Sequence, residues 1–175
     1  LLRRVNLQSK EVAHLIRGGA LDGLGSSRTA LLANLARSER GGLGQLGFAF
    51  LEEETAADSP AECLAWEEQV LGLPVSVHPL AAAPPPTDAV SVRAALAGAA
   101  GAEARSRPLH VAGVRLPGWT GGPGFFLADE EGYLLAITPA GQRAPAAWKP
   151  ILVTGRCLPD QWGGVALHAE QWHVL

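Results

Sequence analysis

The sequence predicts a multidomain α+β protein, an N-terminal helical unit followed by a five-stranded β-barrel, and three observations predict it. Apolar residues recur at helical spacing through the first part of the chain, and from residue 108 onward the period changes to two. The stretch AAAPPPTD at 81–88, stiffened by three consecutive prolines, reads as a linker between the two regimes. Seven of the ten aromatic residues lie after position 108, where strand alternation would turn some rings inward and others outward.

Bulk properties bound the reading. A chain of 175 residues has room for one large domain or two small ones with a real core. A hydrophobic content of 47% argues against a disordered chain. No apolar run approaches the roughly 18 residues that span a bilayer. Nor does a cationic segment precede an apolar one in the manner of a secretory signal, so a cytoplasmic protein without a membrane partner is expected. Cys63 and Cys157 have no CxxC spacing and read as reduced thiols. The chain lacks methionine and opens on Leu1-Leu2, which reads as a fragment or a misassigned start; an active site missing here would then lie upstream.

The elements follow in order. SKEVAHLIRGG (9–19) sets Val12, Leu15 and Ile16 on one helical face, with Ser9 as N-cap. A glycine-rich turn, ALDGLGSS, leads to a second helix after Ser26 or Ser27, with Leu31, Leu32 and Leu35 as its apolar stripe. A third helix is expected at about 58–71, opening on Asp58 or Ser59 with Pro60 at its first position. Its Leu64, Val70 and Leu71 would face a core while Glu62, Glu67 and Glu68 stay wet. LPVSVHPL follows as an extended segment, and an Ala-rich helix at about 89–99 precedes the barrel. Strands are expected at about 109–117, 124–129, 132–138, 149–158 and 164–174, with a helical turn near 140–147. That is the order of an OB barrel, although another small barrel or sandwich would share the strand pattern. The expected division is 1–44 for the paired helices, 45–80 for an apolar peptide and acidic helical segment, 81–107 for the linker and short helix, and 108–175 for the barrel.

Charge is unevenly spread behind a net value of −3. Residues 1–44 carry seven basic and three acidic side chains, residues 45–88 eight acidic and no Lys or Arg, and residues 89–175 seven basic and six acidic. A basic first segment suits a phosphate backbone; the acidic middle is repelled by one and points to a protein partner.

Three segments carry candidate chemistry. The turn Gly23-Leu24-Gly25 between two helices has the form of a helix-hairpin-helix, whose backbone amides at Gly23, Gly25 and Ser27 would hold a DNA phosphate, with Arg17 and Arg28 adding charge. An ordinary αα-turn has the same glycine spacing. QLGFAF offers Gln45, Leu46, Phe48 and Phe50 as a docking peptide, or as rings packed beneath their own loop. In the barrel, Arg115, Trp119, Phe126, Tyr133 and Arg156 are the candidates for stacking and holding a single strand, most other rings being core. Phe125 and Phe126 are adjacent, so one points in and one out. Nucleophile elbow, P-loop and zinc-site spacings are absent, and the acidic run Glu52-Glu53-Glu54 reads as a solvated charge cluster. No catalytic residue, metal ligand or cofactor site is read in the chain.

Together the ordered segments VAHLIRGGALDGLGSSRTALL, QLGFAF, EEQVLGLPVSVHPL, PLHVAGVRL, FFLADEEGYLLAI and PILVTGRCL resemble the C-terminal region of the bacterial DNA polymerase III alpha subunit family. The resemblance covers nearly the whole chain. It implies a helix-hairpin-helix gripping duplex phosphates, a sliding-clamp peptide at Gln45, Leu46, Phe48 and Phe50, and an OB domain handling single-stranded template. The parent would be a DNA-directed DNA polymerase, a nucleotidyltransferase whose magnesium-binding carboxylates lie outside this chain, working in the bacterial cytoplasm at the nucleoid. Its partners would be DNA, the clamp and the remaining polymerase domains. Departures are Leu21, where the family has an aromatic residue, Pro74 and Val77 before His78-Pro79, and a single complete hairpin. An ending just after the barrel suits an error-prone paralogue or a trimmed chain. The alternatives are a free-standing accessory protein that binds single-stranded DNA or the clamp, and a structural OB module.

Overall fold

The computed structural model describes residues 7–40, 57–99, 107–160 and 163–175. They fall into two compact units, Leu1–Val77 and His78–Leu175, taken here in turn.

The first unit contains α1 (Ser9–Arg17), α2 (Arg28–Arg40) and α3 (Pro60–Leu71). Val12 and Ile16 of α1 close on Leu31 and Leu35 of α2, all buried. Leu15, expected in that stripe, stands 37% exposed. The N-cap of α1 is Gln8, not Ser9: the Gln8 backbone N–H donates to Glu11 Oε2 at 2.7 Å. Between α1 and α2 the chain makes a single 3-10 turn, Asp22–Leu24, closed by Gly25 at φ +80°. Gly19 is also left-handed, and a Cβ there would collide with the Arg28 guanidinium, so both positions require glycine.

Helix α3 begins as its sequence predicts. Ser59 caps it, Pro60 occupies the first position, and Glu62 completes a capping box by accepting from the Ser59 backbone N–H at 3.0 Å. Gly72, at φ +75°, ends it. The side-chain expectations fare less well: Leu71 is 45% exposed, whereas Glu67, expected to be wet, is completely buried. The segment after Gly72, expected to be extended, bends back so that the Val75 and Ser76 amides donate to Glu67 Oε2 at 2.6 and 3.1 Å. Those bonds replace the water a buried carboxylate loses.

The second unit is a closed barrel of β1 (Leu109–Leu116), β2 (Gly124–Ala128), β3 (Tyr133–Ile137), β4 (Pro150–Pro159) and β5 (Val165–Val174), in the order β1-β2-β3-β5-β4. β4 returns to pair with β1, and β3 with β5 is the parallel pair. This is the Greek-key topology of an OB-type barrel, and with the helices it makes the described chain α+β. Period-two burial builds the core: Val111, Phe125, Leu127, Leu134, Ile151 and Val153 point inward, together with Cys157 and Leu167 further along the last two strands. Opposite Thr154 and Gly155 the register skips Glu170, a bulge in β5, and a Cβ at Gly155 would run into the His168 carbonyl oxygen.

The helical turn expected near 140–147 is absent; Pro139, Gly141 at φ +82° and Pro145 keep that connection irregular. The helix that packs into the barrel core comes instead from before β1. It is α4 (Val92–Gly98), capped by Ser91 Oγ, and its Val92 and Ala95, with Ala99 just beyond, join the interior cluster. A backbone bond from Val90 N–H to the His110 carbonyl at 2.8 Å ties the approach to α4 against β1. Among the described residues no helix is long and apolar enough to cross a membrane.

Candidate nucleic-acid interface

Alternation along the strands leaves one face of the barrel turned outward with a readable composition. The register aligns Gly124, Ile137, His168 and Arg156 in one row across β2, β3, β5 and β4. Phe126 and Leu135 pair in the next row. On this face lies an open groove of about 430 Å³. Leu135, Ile137 and His168 form its floor; Thr120–Pro123 of the β1–β2 loop with Gly124 of β2 make one wall, and Pro159 at the end of β4 with Asp160 just beyond it the other. The strand 2–3 face flanked by these two loops is where OB barrels hold extended polymers.

Two aromatic rings stand on this side of the molecule with little cover. Trp119, next to the groove residue Thr120, is 87% exposed on its glycine-flanked loop. Tyr133, at the start of β3, is 64% exposed and meets Phe126 edge to face, ring centres 6.1 Å apart. Phe125 turns inward and is buried while its neighbour Phe126 turns outward, as alternation requires. The two cations named from sequence stand differently. Arg156 lies in the outer row but pairs with Glu170 at 3.3 Å. Arg115 shares its side of the sheet with the core residue Leu127, so it leaves the outer face, and its Nε is buried without a hydrogen bond. Sequence reasoning missed the groove residues Thr120, Leu135, Ile137, Asp160 and His168. The signal for them was the strand order itself, because in an OB barrel the first and last loops flank one face.

The hairpin of the first unit presents a different picture. Gly23, Leu24 and Gly25 are exposed at its tip, and Ser27 Oγ accepts from the Ala30 N–H at 3.2 Å, an N-cap interaction. Arg28, expected to meet phosphate, is 3% exposed and committed inward. Its Nε and Nη2 grip Asp22 in a two-pronged pair at 2.9 and 2.6 Å, Nη1 donates to Glu67 at 2.9 Å and to the Arg17 carbonyl at 3.1 Å, and Nη2 also reaches Ser76 Oγ. All five guanidinium N–H groups are thereby used, and none remains for a ligand. Asp22 raises the Arg28 pKa further, against the opposing effect of burial. Burial pushes the Glu67 carboxyl up, but the hydrogen bonds from Ser76, Val75 and Arg28 outweigh it and hold the group below its ordinary value.

The first amides of α2 are also occupied. Asp58 accepts from Arg28 N–H at 2.6 Å, Thr29 N–H at 3.0 Å and Thr29 Oγ1 at 2.6 Å, and these bonds lower its pKa against the effect of burial. A carboxylate at the positive end of a helix is favourable, and here it sits where a phosphate would otherwise be bound. Arg17 is half-buried, with its Nε enclosed and lacking a hydrogen bond.

The peptide Gln45, Leu46, Phe48 and Phe50, with Glu52-Glu53-Glu54, lies outside the described residues, as does Trp162. Among the described residues no three His, Cys, Asp or Glu side chains converge in one cluster.

Fold and groove define a class: an OB-type barrel with an open outer face, joined in one chain to a small helical unit. No protein-family model and no curated protein matches the chain. Among solved structures it is similar to the hypothetical protein ygiW from E. coli, 12% identical over 52% of this chain and 94% of that one, with a TM-score of 0.40. It is also similar to asparaginyl-tRNA synthetase from Pyrococcus horikoshii, 16% identical over 50% of this chain, with a TM-score of 0.39. The same synthetase complexed with asparaginyl-adenylate gives a TM-score of 0.41. This chain spans 23% of the synthetase's length.

Proposed function

We propose that this chain is the DNA-handling C-terminal portion of a bacterial polymerase III alpha-type subunit, and that its barrel holds single-stranded DNA in the groove beside Trp119 and Tyr133. The observation that carries the single-strand reading is the groove itself: apolar, open, and set between two loops, with exposed Trp119 one residue before its wall residue Thr120 and exposed Tyr133 further along the outward face of β3. Bases stack on such rings without regard to sequence, each contributing about 1–3 kcal/mol. The assignment to a polymerase rests on the ordered motifs of the sequence. The peptide at Gln45, Leu46, Phe48 and Phe50 would dock in a sliding clamp, and nucleotidyl transfer would be performed by residues outside this chain.

The buried state of Arg28 narrows the duplex-binding part of the proposal. Any phosphate contact from the hairpin would come from the exposed Gly23–Gly25 turn and from Arg17, not from the Arg28 side chain or the α2 amides that Asp58 holds.

Two measurements test the proposal. Fluorescence anisotropy of a short mixed-sequence single strand should show binding at low salt that weakens at high salt, and Trp119→Ala with Tyr133→Ala should reduce it; no binding at low salt would leave the barrel a structural module. Binding of the chain to a sliding clamp should be seen for wild type and lost in Gln45→Ala and Phe50→Ala. A clamp that ignores all three would remove the tethering role.

A further inference from the structure

Two arginines of this chain stand in opposite states, and the contrast bears on how the groove holds its ligand, an inference that rests on the single-strand reading above. Arg28 is buried and gripped by Asp22 at 2.9 and 2.6 Å. Arg156 is about half exposed, as is its partner Glu170, and their closest approach is 3.3 Å, from Nε to Oε1. Charge-assisted hydrogen bonds are ordinarily about 2.7–2.9 Å long, so this second pair is loose, and an exposed pair of its kind contributes little to stability.

The groove leaves a polymer's charge unanswered. No Lys or Arg lines it, whereas a single strand brings one negative phosphate with every base. The five strands carry two permanent cations, Arg115 and Arg156. Arg115 lies on the core side of β1, so Arg156 is the one that faces outward. Register fixes its place: Gly124, Ile137 and His168 line the groove, and Arg156 is next in their row, directly across from His168. Neighbouring strands lie about 4.7–4.9 Å apart, so a backbone leaving the groove floor over β5 passes within reach of the guanidinium on β4.

Glu170 holds that guanidinium through an irregularity. It is the residue the β4–β5 register skips, Thr154 pairing with Gln171 and Gly155 with Ala169. A bulge re-aims the side chain it carries, and this one brings a carboxylate to the outward arginine. A phosphodiester offers the same guanidinium two oxygens in a bidentate fork, a stronger arrangement than the loose pair it replaces.

We propose that Arg156 is the phosphate contact of the single-strand site and that Glu170 is its resident competitor. Bases enter the groove, while the backbone runs over β5 and β4 and takes Arg156 from Glu170.

The test uses the full chain and a short fluorescent single strand of mixed sequence, with affinity read by anisotropy across a series of salt concentrations. Arg156→Gln should weaken binding and flatten the slope of log affinity against log salt by about 0.7, the share of one phosphate contact. Glu170→Gln should tighten binding about two- to fivefold, the amount by which an exposed ion pair competes. Glu130→Gln, in the exposed β2–β3 turn and outside the groove lining, supplies the effect of one charge alone and should change affinity less. Combined with Arg156→Gln, Glu170→Gln should lose its gain. A damaged fold cannot tighten binding, so the gain tests the proposal independently of the weakened variant. An unchanged salt slope in Arg156→Gln, a Glu170→Gln gain no larger than that of Glu130→Gln, or a gain that survives without Arg156 would overturn the assignment and leave the single-strand site standing. Failure of wild type to bind at low salt would remove the single-strand reading itself.

Discussion

The two units use their polar groups in opposite ways. In the helical unit two charges are turned inward, Arg28 and Glu67: Arg28 satisfies Asp22, Glu67 and Ser76, and Asp58 closes the start of α2. In the barrel the described core cluster is built of apolar side chains, and the outer face carries the exposed Trp119 and Tyr133 and a groove. The difference teaches that a segment's charge count does not measure the charge it offers to a partner. Residues 1–44 look basic and 45–88 look acidic, yet Arg28 of the first and Glu67 of the second are spent on each other inside one small unit.

That contrast can be broken most sharply at Glu67. Glu67→Ala leaves the Arg28 guanidinium buried with one anion fewer and frees the Val75 and Ser76 amides; loss of one partner of such a pair typically costs about 3–5 kcal/mol. Hydrogen exchange should show the helical unit opening while the barrel strands keep their protection; equal loss in both units would mean that they fold as one. The reciprocal cut is Val92→Ala, which removes two methyl groups from the barrel interior and should cost about 2 kcal/mol, read as earlier barrel unfolding in denaturant.

A smaller effect is expected at Asp58. Its substitution by Ala strips three hydrogen bonds from the start of α2 and should destabilise the helical unit by about 1–2 kcal/mol, measured by thermal unfolding. An unchanged melting temperature would mean that water replaces the carboxylate without loss. Acid should find the same weakness. Glu67 and Asp58 titrate below their ordinary values in the folded unit, so their stabilisation is complete above the usual carboxylate range and is lost as pH falls through the folded values. Below about pH 4 the helical signal should therefore decline progressively, and a helical unit indifferent to acid would contradict the buried network. The smallest effect belongs to Trp119→Ala, expected to leave stability within about 0.5 kcal/mol of wild type because the ring is exposed.

How much of this was legible in the sequence depends on the range of the interaction that fixes each feature. The strands were readable because alternation is local, and the adjacent rings of Phe125 and Phe126 already implied an inside and an outside. The start of α3 was readable because Ser59, Pro60 and Glu62 act within one turn. Glu67 was misread because a lone carboxylate in a helix is ordinarily wet, and its partner Arg28 lies far away in the chain. The helical turn misplaced at 140–147 has enough alanine to suggest a helix, but its prolines prevail, and the packing role passes to α4. The groove was hidden for the same reason as Glu67: Thr120, Leu135, Asp160 and His168 become neighbours only when the barrel closes. The docking peptide at 45–50 remains an expectation of sequence, outside the described residues.

The place of α4 ahead of the barrel has a consequence for how the protein is made. A ribosome extends the chain from its N-terminus, so this short helix emerges before any strand that will bury it. Seven residues do not hold a helix alone in water, and Val92 and Ala95 must wait for the chain that encloses them. At ~5–20 residues per second, roughly 4–15 s separate the emergence of α4 from that of the last strand, β5. Through that interval the nascent chain carries an uncovered apolar segment and unpaired strand edges. A ribosome stalled before Val165 would present both to the folding machinery of the cell, and the final ten-residue strand is what ends the exposure.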